Sequence, residues 1–265
     1  MSNSANLAHS YPSILRKKFD IIIPAFNEEK RIRPVLDDAC KYISENDLPW
    51  RLIVAIEGHD RTVQIVQEFA SRYLFLLYFA SAGRGGKGAA VMKASSMVTA
   101  DFVILMDADN SIRFEQIINN IHLIERFGVV ILSRYHDNAA IPMFRKFISR
   151  GFNLLVRMTT GLKVKDTQSG YKIFRSKELL EALKKVGATN TFYDISLLYH
   201  LNKSGTEIME SQNYYVHDKG SKFNPFAEIF GQGISLMAFA IRHSRLYPYI
   251  PEFLISLYKK KFRWI

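Results

Sequence analysis

Asp107 and Asp109, separated by one alanine, stand at the end of the apolar run "DFVILM". Two carboxylates that close together repel unless a positive charge sits between them. A divalent cation with oxygen ligands is one such charge. A strand running into a solvated turn, with Asn110 and Ser111 as turn formers, is the plain alternative. A second cluster is "SAGRGGKGAA", residues 81–90, where glycines and Lys87 precede a helical stretch. Backbone N–H groups and a lysine at a helix start suit a phosphate, against the alternative of a simple glycine turn. Lys87 is followed by Gly88, not by a hydroxyl residue that would reach magnesium, which argues against a Walker A loop and NTP hydrolysis.

These residues need a scaffold. "FDIIIP", "WRLIVAI", "LFLLYFA", "DFVILM" and "GVVILS" read as five buried strands. Helical stretches fall between them, at Glu28 to Ser44, Thr62 to Tyr73, Lys87 to Val98 and Phe114 to Phe127. Such alternation implies an α/β fold with a mostly parallel sheet, helices on both faces, and ligands beyond the carboxyl ends of the strands. That edge collects residues 24–29, 57–60, 107–109 and 133–134. Beyond residue 140 a helix near 142–160 precedes "KDTQSGYKIF", a loop running into a strand. A helix over 176–185, another from Tyr193 and a strand within 206–216 follow. The last helix, Pro225 to Ile241, carries only Glu228, Gln232 and Ser235 as polar side chains between 226 and 241, a stripe that suits burial or lipid. No linker interrupts the chain. The expected organisation is an N-terminal segment 1–18, one catalytic domain 19–224 with halves meeting at 135/136, and C-terminal helices 225–265.

The 265 residues carry 36 Lys and Arg against 25 Asp and Glu, a formal charge of +11 that favours polyanionic partners. Residues 241–265 hold six of those cations against Glu252 alone, interleaved with aromatic and aliphatic residues, which suits a membrane surface. A nucleic-acid-binding protein would instead spread basic and aromatic residues along one groove. The N-terminus has no long apolar core, and the late apolar stretches fall short of the roughly 20 residues that span a bilayer, so a peripheral protein is expected. The single cysteine, Cys40, excludes an internal disulfide.

Five edge motifs occur in order: "PAFNEE", "EGHDRT", "GGKGAA", "DAD" and "SRY". Together they resemble the inverting glycosyltransferases of the GT-A fold, which use nucleotide sugars. "DTQSGYKIF", "FYDISLLY" and "GSKFNPF" narrow the likeness to dolichyl-phosphate glucosyltransferases, with polyprenyl-phosphate mannosyl synthases close behind. The resemblance implies Mg²⁺ or Mn²⁺ as cofactor and hexose transfer from a nucleoside diphosphate sugar to dolichyl or polyprenyl phosphate, at a cytoplasmic membrane face. The alternatives are a GT-A enzyme with a soluble or glycan hydroxyl acceptor, and an inactive scaffold, against which the intact Asp107, Asp109 and Arg134 argue.

By the same resemblance, Pro24, Ala25, Asn27, Glu29, Glu57, Lys87, Asp107, Ala108 and Asp109 hold the donor. Asp107 contacts the nucleotide ribose or the metal, Asp109 binds the metal directly, and Ser111 holds a metal-bound water. Arg134, Arg145, Ser169 and Lys222 hold the acceptor phosphate, with Arg175 a further candidate, and Asp194 with Arg134 is catalytic. An N-cap is the competing role for Asp194. His217 and Lys222 flank "DKGSK", a loop suited to closing over the donor. The chain departs from the family at its second strand, where Glu57, Gly58, His59 and Asp60 replace the usual "DDGS" turn.

Overall fold

The structure is a computed structural model that describes residues 12–133, 143–187, 192–213 and 225–244, with 247–249, 251–253 and 256. Its frame is one seven-stranded sheet in the order β3-β2-β1-β4-β6-β5-β7. The strands are β1 (Phe19–Phe26), β2 (Trp50–Glu57), β3 (Leu76–Ser81), β4 (Phe102–Leu105), β5 (Val129–Ser133), β6 (Lys172–Arg175) and β7 (Ile208–Gln212).

Strands β1 to β4 are parallel, as the alternating pattern requires, and β7 runs parallel to β5. β6 is the exception, antiparallel to both β4 and β5. This reversal has a consequence for the site. Lys172, at the start of β6, pairs with Leu105 at the carboxyl end of β4, so Gly170 and Tyr171 arrive beside Asp107. Arg175, at the other end of β6, pairs with Phe102 on the far edge.

The central strands are buried on both faces because helices cover each side. Ile21 and Ile23 of β1 face the helices Ile32–Glu45, Thr62–Ala70 and Phe114–Asn120. Ile22 between them faces the helices Lys87–Ser95, Ser176–Leu183 and Tyr193–Lys203. On the edge remote from the acids, Asp20 is fully buried, with its carboxylate accepting from Arg51 and from the N–H groups of Thr99 and Ala100. A buried carboxylate is tolerated only with such pairing.

Two expectations shift. The first helix begins at Ile32 and not at Glu28. The N–H groups of Arg31 and Ile32 both donate to the Glu28 carbonyl, while Glu28 and Glu29 donate their own to Thr62 and Asp60, so residues 28–31 form a turn tied to the neighbouring loop. The helix from Phe114 stops at Asn120 and tightens into a 3-10 turn, Ile121–Glu125.

The helices Met143–Thr160 and Pro225–Arg242 pack against each other. On the second, Gln232 and Ser235 point inward, and Gln232 accepts from Gln168 at 2.7 Å. Apolar Met237 and Ile241 are exposed instead, as are Leu154, Leu155 and Met158 on the first. Among the described residues, no helix is long and apolar enough to cross a membrane.

Candidate functional site

The site lies at the shared carboxyl edge of β1, β2 and β4. Phe26 of β1 pairs with Glu57 of β2, which pairs with Ser81 of β3. β4 ends at Leu105, and Met106 continues the ladder by donating to the Ile22 carbonyl, which carries Asp107 and Asp109 to that edge.

Asn27, in the left-handed region at φ 54°, ties β1 to the loop after β2. Its carboxamide oxygen accepts from the N–H groups of His59 and Asp60. A Cβ on Gly58, at φ 109°, would overlap that oxygen. Asp60 in turn accepts from the Glu29 N–H and from the Thr62 hydroxyl and N–H. Burial pushes the Asp60 carboxyl up, but these donors outweigh it and hold the group below its ordinary range. Glu29 closes the turn by accepting from the Arg61 N–H at 3.1 Å. Asn27 and Glu29 therefore build the wall of the site.

Glu57 has a different task from its neighbours. Its carboxylate accepts from the N–H groups of Gly85 and Gly86 at 3.1 and 3.2 Å, locking the glycine loop immediately before the helix that opens with Lys87. The departure from the "DDGS" pattern is thus a brace for the loop.

Lys87 reaches from that helix to Asp107, with its ammonium 3.0 Å from Oδ1. The Asp107 carboxylate lies so close to Gly170 that a Cβ there would overlap its carbon and both oxygens. Asp109 Oδ1 accepts from the Ser111 hydroxyl at 2.5 Å and the Ser111 N–H at 3.0 Å, which fixes its rotamer. Ser111, expected to hold a metal-bound water, is buried and orients Asp109 directly. Tyr171 donates to Asp109 at 3.3 Å, and burial together with the two acids raises its phenol pKa. Burial likewise raises the Glu28 carboxyl, which also feels both aspartates, although Arg31 pairs with it at 2.7 Å.

Behind Lys87 stands Asp194, almost fully buried in the first turn of the helix Tyr193–Lys203. It is not the N-cap, which falls on Phe192. Its Oδ1 accepts from Lys172 at 2.6 Å, and its Oδ2 lies 3.6 Å from the Lys87 ammonium. Lys172 is fully buried and also donates to the Ser169 carbonyl. Burial lowers its pKa against the opposing pull of Asp194. Lys172, Asp194, Lys87 and Asp107 thus form one row of alternating charge.

Pro24 and Ala25 lie in β1, and Ala108 is buried between the two acids. Two expected acceptor ligands are corrected. The Ser169 hydroxyl is buried and donates to the Leu132 carbonyl at 2.6 Å, so it joins the loop to β5. Arg175 donates to the Ile124 and Glu125 carbonyls on the opposite edge. Arg134 follows Ser133, the last residue of β5, and lies outside the described residues with His217 and Lys222. Arg145 belongs to the helix Met143–Thr160. Reading the sequence missed Lys172 and Gly170. The lysine inside the apolar run "YKIF" was the available signal.

Asp107 and Asp109 supply oxygen atoms only, the donor type that suits Mg²⁺ or Mn²⁺. Among the described residues, no group of three or more His, Cys, Asp or Glu forms a metal cage. A pair of carboxylates completed by substrate phosphate oxygens is the usual arrangement for Mg²⁺, and the residues fit it.

The sheet and its edge define a glycosyltransferase of the GT-A fold. Residues 20–183 match the model of glycosyl transferase family 2, and the chain belongs to that family. A dolichyl-phosphate beta-glucosyltransferase of Trichomonas vaginalis is 32% identical over 169 residues, covering 58% of this chain and 50% of that protein. One from Dictyostelium discoideum is 26% identical, covering 83% of this chain and 75% of that protein. The fold is shared with glucosyl-3-phosphoglycerate synthase of Mycobacterium tuberculosis, at a TM-score of 0.64 and 16% identity, covering 91% of this chain and 84% of that one. Another structure of that synthase contains Mn²⁺, UDP-glucose and phosphoglyceric acid, with a TM-score of 0.63 and 16% identity over 90% of this chain and 82% of that one.

Proposed function

We propose that this protein transfers a hexosyl group, with inversion, from a nucleoside diphosphate sugar of the UDP-glucose or GDP-mannose type to dolichyl or polyprenyl phosphate. The observation that carries the reading is the convergence of Asp107, Asp109 and Lys87 at one carboxyl edge, beside a glycine loop braced by Glu57. The relatives named dolichyl-phosphate beta-glucosyltransferases support the choice of acceptor.

A Mg²⁺ or Mn²⁺ ion held by Asp107 and Asp109 would neutralise the diphosphate leaving group as a Lewis acid. Lys87 adds a positive charge on the same side, stabilising charge that develops as the sugar departs. An acceptor phosphate is already ionised near neutral pH, so attack requires no strong base. That agrees with Asp194, whose carboxylate is committed to Lys172 and Lys87. Asp194 acts here as a positioning residue. Arg134, one residue past the end of β5, is the proposed acceptor-phosphate ligand, with Arg145 and Lys222 assisting; an arginine fork matches phosphate oxygens in pairs.

The lipid acceptor accounts for the exposed apolar side chains Leu154, Leu155, Met158, Met237 and Ile241 on two packed helices. With Arg157 exposed among them, this surface suits the anionic interface of a membrane at its cytoplasmic face. The decisive experiment is a panel of radiolabelled nucleotide sugars incubated with dolichyl phosphate and extracted into organic solvent. Label should enter the organic phase from one donor, stop with EDTA and return with Mn²⁺. Transfer to a soluble acceptor alone would sink the lipid reading.

A further inference from the structure

The ammonium of Lys87 occupies a position between two carboxylates that belong to different parts of the chain. It lies 3.0 Å from Asp107 Oδ1 and 3.6 Å from Asp194 Oδ2. The two partners are not equivalent. Asp107 is part-exposed at the site edge, whereas Asp194 is almost fully buried and anchored from behind by Lys172. The Asp107 carboxylate packs directly against Gly170, where a side chain would not fit.

We propose that Lys87 is the resident counter-ion of Asp107 and hands that carboxylate to the divalent cation, moving its ammonium onto Asp194 as the cation arrives. The proposal rests on the reading of Asp107 and Asp109 as cation ligands. The physical basis is simple. A dication on Asp107 repels an ammonium on the same carboxylate twice as strongly as a second unit charge would. A lysine side chain has four rotatable bonds, so a shift of its terminal nitrogen over this distance needs no movement of the helix. Asp194 is ready to receive it because Lys172 fixes its orientation in advance.

The handover would keep the acid pair partly neutralised before the donor and cation arrive. It also couples the buried Lys172–Asp194 pair to cation affinity, although neither residue touches the cation. Positive charge then stays near the diphosphate, on the side where Lys87 opens its helix.

Mn²⁺ binding, measured by the loss of the free-ion EPR signal with no donor present, tests this. Lys87→Met removes the competitor and should bind Mn²⁺ about tenfold more tightly than wild type. Lys87→Arg keeps the charge and should stay near wild type. Asp194→Asn removes the receiving carboxylate and should weaken binding several-fold, an effect that largely disappears in the Lys87→Met background. Lys87 is part-exposed at a helix start, so its two variants decide the matter even where Asp194→Asn does not fold. Unchanged or weaker Mn²⁺ binding in Lys87→Met overturns the handover. So does an Asp194→Asn effect of equal size in both backgrounds. Absence of Mn²⁺ binding in every protein overturns the cation-site reading itself, and the handover with it.

Discussion

Gly170 lies against the carboxylate of Asp107 with no room for a side chain between them. The two residues are 63 positions apart in sequence and meet because β6 runs antiparallel to β4. Gly170→Ala would displace the Asp107 carboxylate from its place beside Lys87. The overlap should cost about 1–3 kcal/mol of stability, the usual range for overpacking. Donor-dependent transfer should fall far more than stability does. Thermal melts and initial rates on the same preparation check this, and an alanine variant with normal rates would refute the contact.

Asp194 and Lys172 make a second prediction. Asp194→Ala leaves a fully buried ammonium without its carboxylate and should destabilise the fold by about 3–5 kcal/mol. Replacing both, as Lys172→Met with Asp194→Leu, should restore most of the lost stability, because an apolar pair removes the uncompensated charge. Activity should not return in the double variant, since Lys87 also loses its second partner. Chemical denaturation reads the first effect and transfer assays the second. A Asp194→Ala protein as stable as wild type would mean the ion pair is not formed.

The strands, the order of the edge motifs and the acid pair were legible because each rests on a local pattern. Apolar runs of strand length alternate with helical spacing, and the acids close one such run. What escaped was set by long-range geometry. The reversal of β6 leaves no mark in a short apolar run, so Gly170 was not placed beside Asp107, nor Lys172 beside Asp194. The family resemblance made Ser169 an acceptor ligand, yet its hydroxyl donates to the Leu132 carbonyl. The polar stripe of the late helix was visible, but not that Gln232 would turn inward to meet Gln168.

Asp60 provides a pH test. Its folded-state pKa lies below the ordinary 3.8, so the ionised form is favoured by folding. The stability it contributes is present above about pH 4 and is lost as pH falls through the depressed value. Asp60→Asn should therefore be less stable than wild type near neutrality by about 1.5–3 kcal/mol, the scale of hydrogen bonds to a charged acceptor. The difference should shrink steadily on acidification below pH 4. Urea melts across pH 2.5–7 measure it, and a gap that stays constant with pH would contradict the assignment.

Glu57 should govern the donor more than the chemical step. Glu57→Ala frees the N–H groups of Gly85 and Gly86 and lets the loop before Lys87 move. Binding weakens when a preorganised loop must be ordered by its ligand. The expected outcome is about a tenfold rise in KM for the nucleotide sugar, with a smaller fall in kcat. Steady-state kinetics over donor concentration separate the two. A variant that lost only kcat would place Glu57 in the reacting geometry and not behind the loop.

The exposed face of the helix Met143–Thr160 makes the last prediction. Leu154 and Leu155 are each 56% exposed and Met158 is 75% exposed, with Arg157 exposed beside them. Water contact on this scale is costly unless another phase covers it: burying one large apolar side chain fully contributes about 1.5–3 kcal/mol. Leu155→Gln with Met158→Gln should thus weaken partition onto phospholipid vesicles by roughly ten- to a hundredfold. Because both side chains already face outward, the melting temperature should stay near that of wild type. Arg157→Gln should act differently. It should reduce binding about fivefold on vesicles containing phosphatidylserine, the equivalent of about 1 kcal/mol for one cation near an anionic surface. On neutral phosphatidylcholine it should have little effect. Transfer to a short, water-soluble prenyl phosphate should be preserved in the glutamine double variant, while transfer to dolichyl phosphate in vesicles falls. Flotation on a sucrose gradient reads the binding directly. If the double variant floats as well as wild type, this face is not a membrane contact.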